Sequence, residues 1–435
     1  MLTPSSLRHL LLAVVIAATT LTGTASGQGR GGMPREIPFP RELPDRGMPD
    51  RLPDVTQRAA VGLERAEAAR EQRLSKPQID RAANAAKAAP ADYELDRNGA
   101  LAIRGEILAT DLDAKTLARL GKAGFSVLRR DEVPDLGIAL FVLSRPDMPA
   151  TRALKRLREL DPDGVYELNH VFFESGRTAS EAASPIVGGG RSGPETSVVG
   201  LIDTGVAQSA TTSPQVRIVR RNFASGPGGG KPHGTAVAAL LARKPGRVTI
   251  YAADVFGDGP RGGTTELLVR ALGWMAQQKV PVVNVSMVGP PNRLVAAVTA
   301  QLIGRGFTIV APVGNDGAAA KLLYPASYPG VIAVSAAGND GRLLPEASRV
   351  KRVDFVAPGI AMVPDPLGRF SQVRGTSFAA PIVSRDLADY VTQPDPLAAR
   401  RAVDRLASTA SSPATDRSRF GRGLVGMPVS GGKLP

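Results

Sequence analysis

The sequence predicts an α/β protein: a parallel sheet with helices on both faces, preceded by a small α+β domain. The first observation is a series of short apolar runs between residues 197 and 359, each ending in turn residues: SVVGLID, TIYAADVF, VPVVNVSMV, FTIVAPVG, VIAVSAA and VDFVAPG. Helical patterns separate these runs, and continuous apolar strands that alternate with helices are typical of a sheet buried on both faces. The second observation is the order strand, helix, strand, strand, helix, strand in residues 95–175, which is the plan of a ferredoxin-like domain.

Composition narrows the class of protein. A chain of 435 residues is long enough for several domains, and its net charge of +14 is compatible with a polyanionic partner. However, Arg and Lys are interspersed with Asp and Glu, and aromatic residues make up only 4% of the chain, so little is available for stacking on bases. A generally cationic surface is the simpler interpretation, and we expect no specific nucleic-acid partner. The chain has no cysteine, which excludes a disulfide framework and thiolate chemistry.

The amino terminus has the pattern of an export signal. Arg8 precedes an apolar run over residues 10–21, and the small residues TGTASGQ follow it. The run is too short to cross a bilayer as a helix, so no transmembrane span is expected. We interpret residues 1–27 as a signal peptide, with a buried helix or a retained anchor as the alternatives. The protein is therefore predicted to be exported, to the periplasm or the extracellular space.

The rest of the chain divides by composition. Residues 28–55 are rich in Pro and Arg and are predicted to form a linker, and the Ala-rich residues 56–89 are predicted to be helical. The ferredoxin-like domain at 95–175 comes next. A Gly, Ser and Pro-rich hinge at 176–196 is expected to be flexible and exposed, and the parallel-sheet domain occupies 197–428.

Three polar residues stand at the ends of predicted strands or the starts of helices. Asp203 follows VVGLI, His233 opens HGTAVAALLA, and Ser377 follows Gly-Thr at the start of another apolar helix. Ser377 has two interpretations: an N-cap that accepts from the first turn of its helix, or a nucleophile. Acyl transfer by serine needs a base and a group that orients the base, and these three residues supply both. Of the three histidines, only His233 lies in the parallel-sheet domain.

The blocks VVGLIDTGV, HGTAVAALLA and GTSFAAPIVS resemble the three signature blocks of the subtilisin-like serine peptidases, in the order of that family. The resemblance covers residues 197–428 and implies a subtilisin-like fold for the parallel sheet. It also implies that Ser377 attacks the scissile carbonyl, that His233 transfers the proton and that Asp203 orients His233. The chain departs from the family pattern in the histidine block, where Ala236 and Ala239 stand in place of a second histidine and a glycine.

The donor that would complete an oxyanion hole is ambiguous from the residues alone. The tetrapeptide GNDG occurs at 314–317 and again at 338–341, and either copy can be a simple turn. The resemblance favours Asn315 over Asn339, because it places the oxyanion asparagine before the block YPASYPGVIAV. An extended substrate is expected to lie along a sheet edge near NVSMVG. The expected substrate-binding residues are Ser286, Met287, Val288, Gly289, Pro312, Val313 and Gly314.

The sequence thus predicts an exported serine endopeptidase, made as a precursor, that acts on protein or peptide substrates. The 95–175 domain is similar in element order to the inhibitor and chaperone domains that precede subtilisin-like catalytic domains, so it is expected to inhibit its own enzyme and assist its folding. No metal or organic cofactor is implied. Two alternatives remain open: a non-catalytic peptide-binding protein on a peptidase scaffold, and an envelope scaffold or anchor whose Pro/Arg-rich segment is the working part.

Overall fold

The computed structural model describes residues 74–179, 196–259, 261–317, 320, 323–350, 352–411 and 417–426. The predicted signal peptide at 1–27, the linker at 28–55, the first part of the helical segment and most of the hinge lie outside the described residues. No helix among the described residues combines the length and the apolar character needed to cross a membrane.

The first described part is a helix, α1, followed by an antiparallel sheet with two further helices. Helix α1 (Lys76–Ala88) and strand β1 (Tyr93–Leu95) lead into β2 (Leu101–Thr110), α2 (Ala114–Lys122), β3 (Ser126–Val133), β4 (Ile138–Ser144), α3 (Ala150–Leu160) and β5 (Tyr166–His170). The sheet has five strands: four lie in the order β5-β2-β4-β3, and β1 also pairs with β2. Every pair is antiparallel. We refer to residues 93–170 as the small domain.

A connecting segment, residues 171–179, leaves the small domain. It contains two short strands, β6 (Phe173–Glu174) and β7 (Arg177–Ala179). The structure therefore differs from the prediction at the start of the expected flexible hinge, where residues 177–179 form a strand. The physical reason is tertiary pairing: β7 joins an open sheet edge in the following domain, and such a backbone ladder overrides a weak local preference.

Residues 197–426 form the parallel-sheet domain. Its strands and helices, in chain order, are β8 (Ser197–Asp203), β9 (Val216–Asn222), α4 (Pro232–Ala242), β10 (Val248–Asp254), α5 (Thr265–Gln277), β11 (Val282–Val285), β12 (Met287–Val288), α6 (Arg293–Gly304), β13 (Thr308–Pro312), β14 (Ile332–Ala337), β15 (Phe355–Pro358), β16 (Ile360–Pro364), β17 (Phe370–Arg374), α7 (Thr376–Ala388), α8 (Pro396–Thr409) and α9 (Arg417–Phe420). Seven strands make one sheet in the order β15-β14-β13-β11-β8-β10-β9, and every neighbouring pair is parallel.

Alternation along the strands explains why the apolar runs are continuous. In β8, Val199 and Leu201 pack in one buried cluster with α4 and α7, whereas Ile202 packs in the other with α5 and α6. Because successive side chains point to opposite faces, a strand covered on both faces must be apolar at nearly every position. The predicted α/β architecture with helices on both faces is confirmed.

The small domain shares a core with the parallel-sheet domain. In β2, Ile107 and Ala109 pack against the domain's own helices. Leu108, on the opposite face, joins a cluster that includes Leu268 of α5 and Val295 of α6. The face of the small sheet that its own helices leave open is therefore buried against α5 and α6.

Polar groups also cross this interface. Asn169 Oδ1 accepts from the backbone N–H of Glu266, at the start of α5, at 3.1 Å. Arg129 donates to the carboxylates of both Glu106 and Glu266. Burial raises the pKa of Glu106 while the bonds from Arg129 and Asn169 lower it, and the balance is a pKa below the usual value. The contact between the two domains thus combines apolar burial with paired charges.

Candidate active site

Asp203 is the last residue of β8, at the carboxyl edge of the parallel sheet where polar groups of such sheets converge. Its side chain is fully buried. One carboxylate oxygen accepts from the backbone N–H of Thr204 at 2.6 Å. This bond and the burial hold the carboxylate in one orientation.

His233 lies in the first turn of α4, directly after Pro232. Proline favours the first position of a helix because its fixed φ suits the helix and its missing N–H would have no partner there. The next residue, Gly234, permits a close approach: a Cβ at this position would lie 2.2 Å from the carbonyl oxygen of Thr204. The backbone N–H of Gly234 also donates to Thr204 Oγ1 at 2.8 Å. The missing side chain of Gly234 and its bond to Thr204 therefore hold the first turn of α4 against the residue that follows Asp203.

The three predicted residues form one hydrogen-bonded series. His233 Nδ1 lies 2.8 Å from Asp203 Oδ1 and 3.0 Å from Asp203 Oδ2. His233 Nε2 lies 2.9 Å from Ser377 Oγ. With its ring proton on Nδ1, His233 donates to Asp203 and accepts from the hydroxyl of Ser377. Residues separated by 30 and 144 positions in the chain are brought into direct contact.

Two opposing effects act on His233. Burial lowers its pKa, whereas the charge of Asp203 and the hydrogen bond to it raise the pKa, and the net result is a pKa above the usual value. Glu174 and a backbone hydrogen bond to Ser175, both from the connecting segment, contribute further in the upward direction. The connecting segment is therefore part of the electrostatic environment of His233.

The structure separates the two copies of GNDG. Asn315 Oδ1 accepts from the backbone N–H of Thr376 at 2.9 Å, immediately before Ser377. Asn315 Nδ2 faces the connecting segment and donates to Ser175 Oγ at 3.3 Å. Asn339, by contrast, is an exposed turn residue. Of the two asparagines, Asn315 is the one whose side chain contacts both the start of α7 and the residue that approaches Ser377.

The predicted substrate strand is occupied by the chain itself. Met287 pairs with Glu174 and Val288 pairs with Phe173, so β6 lies antiparallel to β12. Upstream of β6, the buried ring of Phe172 lies against Gly289, where a Cβ would come within 2.4 Å of the ring. Ser286 precedes β12 and is fully buried. The residues expected to bind an extended substrate thus hold residues 172–174 in an extended conformation.

The connecting segment continues directly past Ser377. A Cβ built on Gly176 would lie 2.4 Å from Ser377 Oγ and 3.1 Å from His233 Nε2. Beyond it, Arg177 pairs with Arg374 and Ala179 pairs with Gln372, so that β7 lies antiparallel to β17. The peptide bond between Ser175 and Gly176 is therefore held between two strand pairings, one on each side of the hydroxyl.

Three of the expected substrate-binding residues, Pro312, Val313 and Gly314, form a wall of the site at the end of β13. Gly314 donates its backbone N–H to Thr376 Oγ1 at 3.1 Å, which ties this wall to the start of α7. A Cβ at Gly314 would meet Leu323 Cδ1 at 2.2 Å. Leu323 is fully buried in a small cluster with Val288 and Ala320. Leucine therefore fills the space between β12 and the wall.

Several residues at the site were not predicted from the sequence. Ser175, Gly176 and Leu323 carry no motif, and the Gly-Thr-Ser block that contains Thr376 predicts no role for the threonine. The helical segment before the small domain also reaches the site: Arg81 of α1 forms an ion pair with Asp316, the residue after Asn315. Only pairing between distant parts of the chain brings these residues to the site.

Comparison with known proteins identifies the family. The Subtilase family model matches residues 195–423, which is more than half of the chain. Subtilisin DY from Bacillus licheniformis is 29% identical over 247 residues, covering 53% of this chain and 88% of that protein. Subtilisin E from Bacillus subtilis is 26% identical over 212 residues, and the match spans about half of its length, 55%.

Solved structures agree in fold. Fervidolysin from Fervidobacterium pennivorans, a keratinolytic enzyme related to subtilisin, aligns with a TM-score of 0.61 at 20% identity, covering 79% of this chain and 64% of that chain. The epidermin leader peptide processing serine protease from Staphylococcus aureus aligns with a TM-score of 0.58 at 16% identity, covering 74% of this chain and 97% of that one. At these identities the likeness concerns the fold. The family match, with which this fold agrees, shows that this chain belongs to the subtilase family and is a serine endopeptidase.

Proposed function

We propose that the protein hydrolyses peptide bonds through an acyl-enzyme on Ser377. The observation that carries this proposal is the unbroken hydrogen-bonded series from Asp203 through His233 to the Ser377 hydroxyl. In this mechanism His233 takes the hydroxyl proton as Ser377 attacks the carbonyl carbon, and then gives that proton to the leaving amine. Asp203 keeps His233 in the required tautomer and stabilises the imidazolium. Water then attacks the acyl-enzyme: His233 takes a proton from the water and returns it to Ser377 Oγ as the acid product leaves.

The oxyanion formed in this reaction needs donors that are already in place. Asn315 Nδ2 donates to Ser175 Oγ, so its amide already faces the residue beside Ser377. The amino terminus of α7 contributes positive potential at the same place. Fixed donors of this kind need no reorganisation when charge develops in the transition state. We therefore assign Asn315 as the oxyanion donor and Ser286, Met287, Val288, Gly289, Pro312, Val313 and Gly314 as substrate contacts.

We further propose that the small domain is an inhibitor and folding chaperone of its own enzyme, and that the first bond to be cut is Ser175–Gly176. Support comes from the connecting segment, which pairs with β12 before that bond and with β17 after it. A covalently tethered segment has a high effective concentration, so it blocks the cleft even if its intrinsic affinity is modest. Release of the small domain then depends on cleavage of this bond and on separation of its buried face from α5 and α6.

Export remains part of the proposal and rests on the amino-terminal pattern at residues 1–27. A protein routed outside the cytoplasm benefits from being made as an inactive precursor. Among the alternatives, a non-catalytic binding protein or an envelope scaffold has no need for a serine, histidine and aspartate in mutual hydrogen-bond contact.

Labelling with a serine-directed phosphonate probe tests the catalytic proposal. The self-processed protein is expected to gain the mass of one probe, and Ser377→Ala is expected to gain none. Intact mass spectrometry of the unlabelled proteins tests the processing proposal: the wild type should yield a fragment that begins at Gly176. A wild-type chain that stays uncut after signal removal would mean that the small domain is a permanent module.

The environment of His233 predicts a difference between two pH profiles. The base must be neutral, so activity is lost as the pH falls through the pKa of His233, which is raised above its usual value. Glu174 and Ser175 contribute to that raised pKa only while the connecting segment is in place. We expect the acid limb of self-cleavage to lie at higher pH than that of peptide hydrolysis by the processed enzyme.

Glu174→Gln provides the matched control for this pH prediction. It should move the acid limb of self-cleavage to lower pH and leave the profile of the processed enzyme where it was. Two coincident acid limbs would contradict the contribution of Glu174 and Ser175 to the pKa of His233. A self-cleavage rate that does not depend on pH would contradict the assignment of His233 as the base.

The buried position of Leu323 predicts a preference for small side chains before the scissile bond. The processed enzyme should cleave peptides with serine or alanine at that position in preference to phenylalanine. Leu323→Ala should raise the relative kcat/KM for phenylalanine about tenfold or more, since it opens a space for the ring. Leu406→Ala, which removes a buried leucine of α8, controls for general destabilisation. An unchanged ratio in Leu323→Ala would show that this side chain does not limit the pocket.

A further inference from the structure

The cleft extends further on the side after the scissile bond than a short peptide would need. Strand β17 is the middle strand of a three-stranded sheet, with β16 on one side and β7 on the other. Arg177, Thr178 and Ala179 lie opposite Arg374, Val373 and Gln372, respectively. These are the second, third and fourth residues after the Ser175–Gly176 bond.

Two further positions of β17, Ser371 and Phe370, continue the strand beyond the part that the described residues of β7 cover. In the same antiparallel register, the fifth and sixth residues after a scissile bond would lie opposite these two positions. The Phe370 side chain is 67% exposed, and that of Leu367, in the turn between β16 and β17, is 76% exposed. They are the two most exposed large apolar side chains among the described residues.

The tip of this hairpin is rigid. The Asp365 side chain accepts from the backbone N–H groups of Leu367 and Arg369 and from the Arg369 guanidinium. The Asp365 carbonyl oxygen accepts from Ser209 Oγ at 2.8 Å, which anchors the tip to the short helical turn at Gln208–Ala210. Two large apolar side chains are thus exposed to water on a rigid turn. A partner can bind to such a surface with little loss of conformational freedom.

We propose that the hairpin β16–β17 is an extended binding site for the substrate chain after the scissile bond. The occupant is an extended segment of the protein substrate: it adds to the edge of β17 through at least its fourth residue and places an apolar side chain at its sixth residue against Leu367 and Phe370. This inference rests on the proposed function of Ser377. The protein's own β7 is the example of this binding mode, and it must leave β17 after self-cleavage before a substrate can bind.

Binding energy from these remote residues assists the reaction. Main-chain bonds to β17 fix the leaving-group side of the substrate without selecting its sequence, and the apolar tip adds selection at one position. Interactions far from the reacting atoms hold the scissile bond in place beside Ser377, so they raise kcat/KM. The site therefore favours cuts inside long extended regions over cuts near a carboxyl terminus.

A peptide series tests this proposal on the self-processed protein. All peptides begin with Phe-Phe-Glu-Ser, the residues at 172–175, and differ after the scissile bond: Gly-Arg, then Gly-Arg-Thr-Ala, then six-residue extensions of the latter that end in leucine or in serine. We expect kcat/KM to rise about tenfold from the two-residue to the four-residue extension. We expect a further rise of about three- to tenfold for the leucine peptide over the serine peptide.

The combined variant Leu367→Ser with Phe370→Ser is expected to abolish the leucine preference. Leu397→Ser, at a position of α8 that is 63% exposed, is the matched control and should leave every rate unchanged. Equal rates at all lengths would overturn the extended site, and a leucine preference that survives in the double variant would overturn the role of the hairpin tip. Absence of cleavage of every peptide would overturn the proposed function itself, and this inference with it.

Discussion

Ser377→Ala is expected to abolish peptide hydrolysis, with kcat falling by about 10⁶-fold. The reason is that Ser377 Oγ is the hydroxyl that lies 2.9 Å from His233 Nε2. Its removal leaves the base without a nucleophile to activate. The same variant should stay uncut at Ser175–Gly176. Peptide hydrolysis and intact mass, measured on the same preparation, report both effects.

Folding must be shown to survive in this variant. The N-cap of α7 is Gly375, so the N-cap interpretation of Ser377 is wrong. Ser377 is the second residue of α7, and its hydroxyl is not needed to cap the helix. The thermal unfolding of the uncut variant should therefore remain cooperative. Substantial turnover by Ser377→Ala would exclude Ser377 as the nucleophile.

Asn315→Ala is expected to lower kcat by roughly 10²- to 10³-fold with little change in KM, because an oxyanion donor acts mainly in the transition state. Asn339→Ala is the matched control, since Asn339 occupies the same tetrapeptide in an exposed turn and should change little. Steady-state kinetics on one small-residue peptide distinguishes them.

Asn315→Asp sharpens the test of Asn315. Aspartate keeps an oxygen that can accept from the backbone N–H of Thr376, as Asn315 Oδ1 does at 2.9 Å, but it lacks the amide donor. The two variants should therefore lose comparable activity. If Asn315→Asp stays near the wild-type rate, the asparagine acts by holding Thr376 in place and the oxyanion donor lies elsewhere.

The parts of the site that could be predicted are those with strong local signals. Asp203 ends an apolar strand, His233 follows a proline that opens a helix, and Ser377 begins a helix after Gly-Thr. Each position is determined by its immediate neighbours, and the parallel sheet then brings strand ends to one edge. The family resemblance gave the order of roles for residues that the local pattern had already singled out.

The remaining parts of the site depend on contacts between distant segments. Gly176 was predicted to belong to a flexible hinge, because its Gly and Ser-rich neighbours carry no strand signal. It lies beside Ser377 only because β12 and β17 pair with the residues around it. Leu323 is similar: its position next to Gly314 depends on the packing of a small cluster, which no periodicity in the sequence indicates.

The order of strands in the parallel sheet bears on how fast the protein can fold. Strand β8 lies between β10 and β11, and its first residue, Ser197, pairs with Val248. Each of these parallel pairs closes a long loop before it gains any contact, and chains dominated by such distant contacts fold slowly. In the small domain, β3 and β4 are joined by the short turn at Pro134–Leu136. We expect this local hairpin to form early and to offer its open apolar face as a template on which α5 and α6 assemble, so that a chain without residues 93–170 reaches its native state far more slowly.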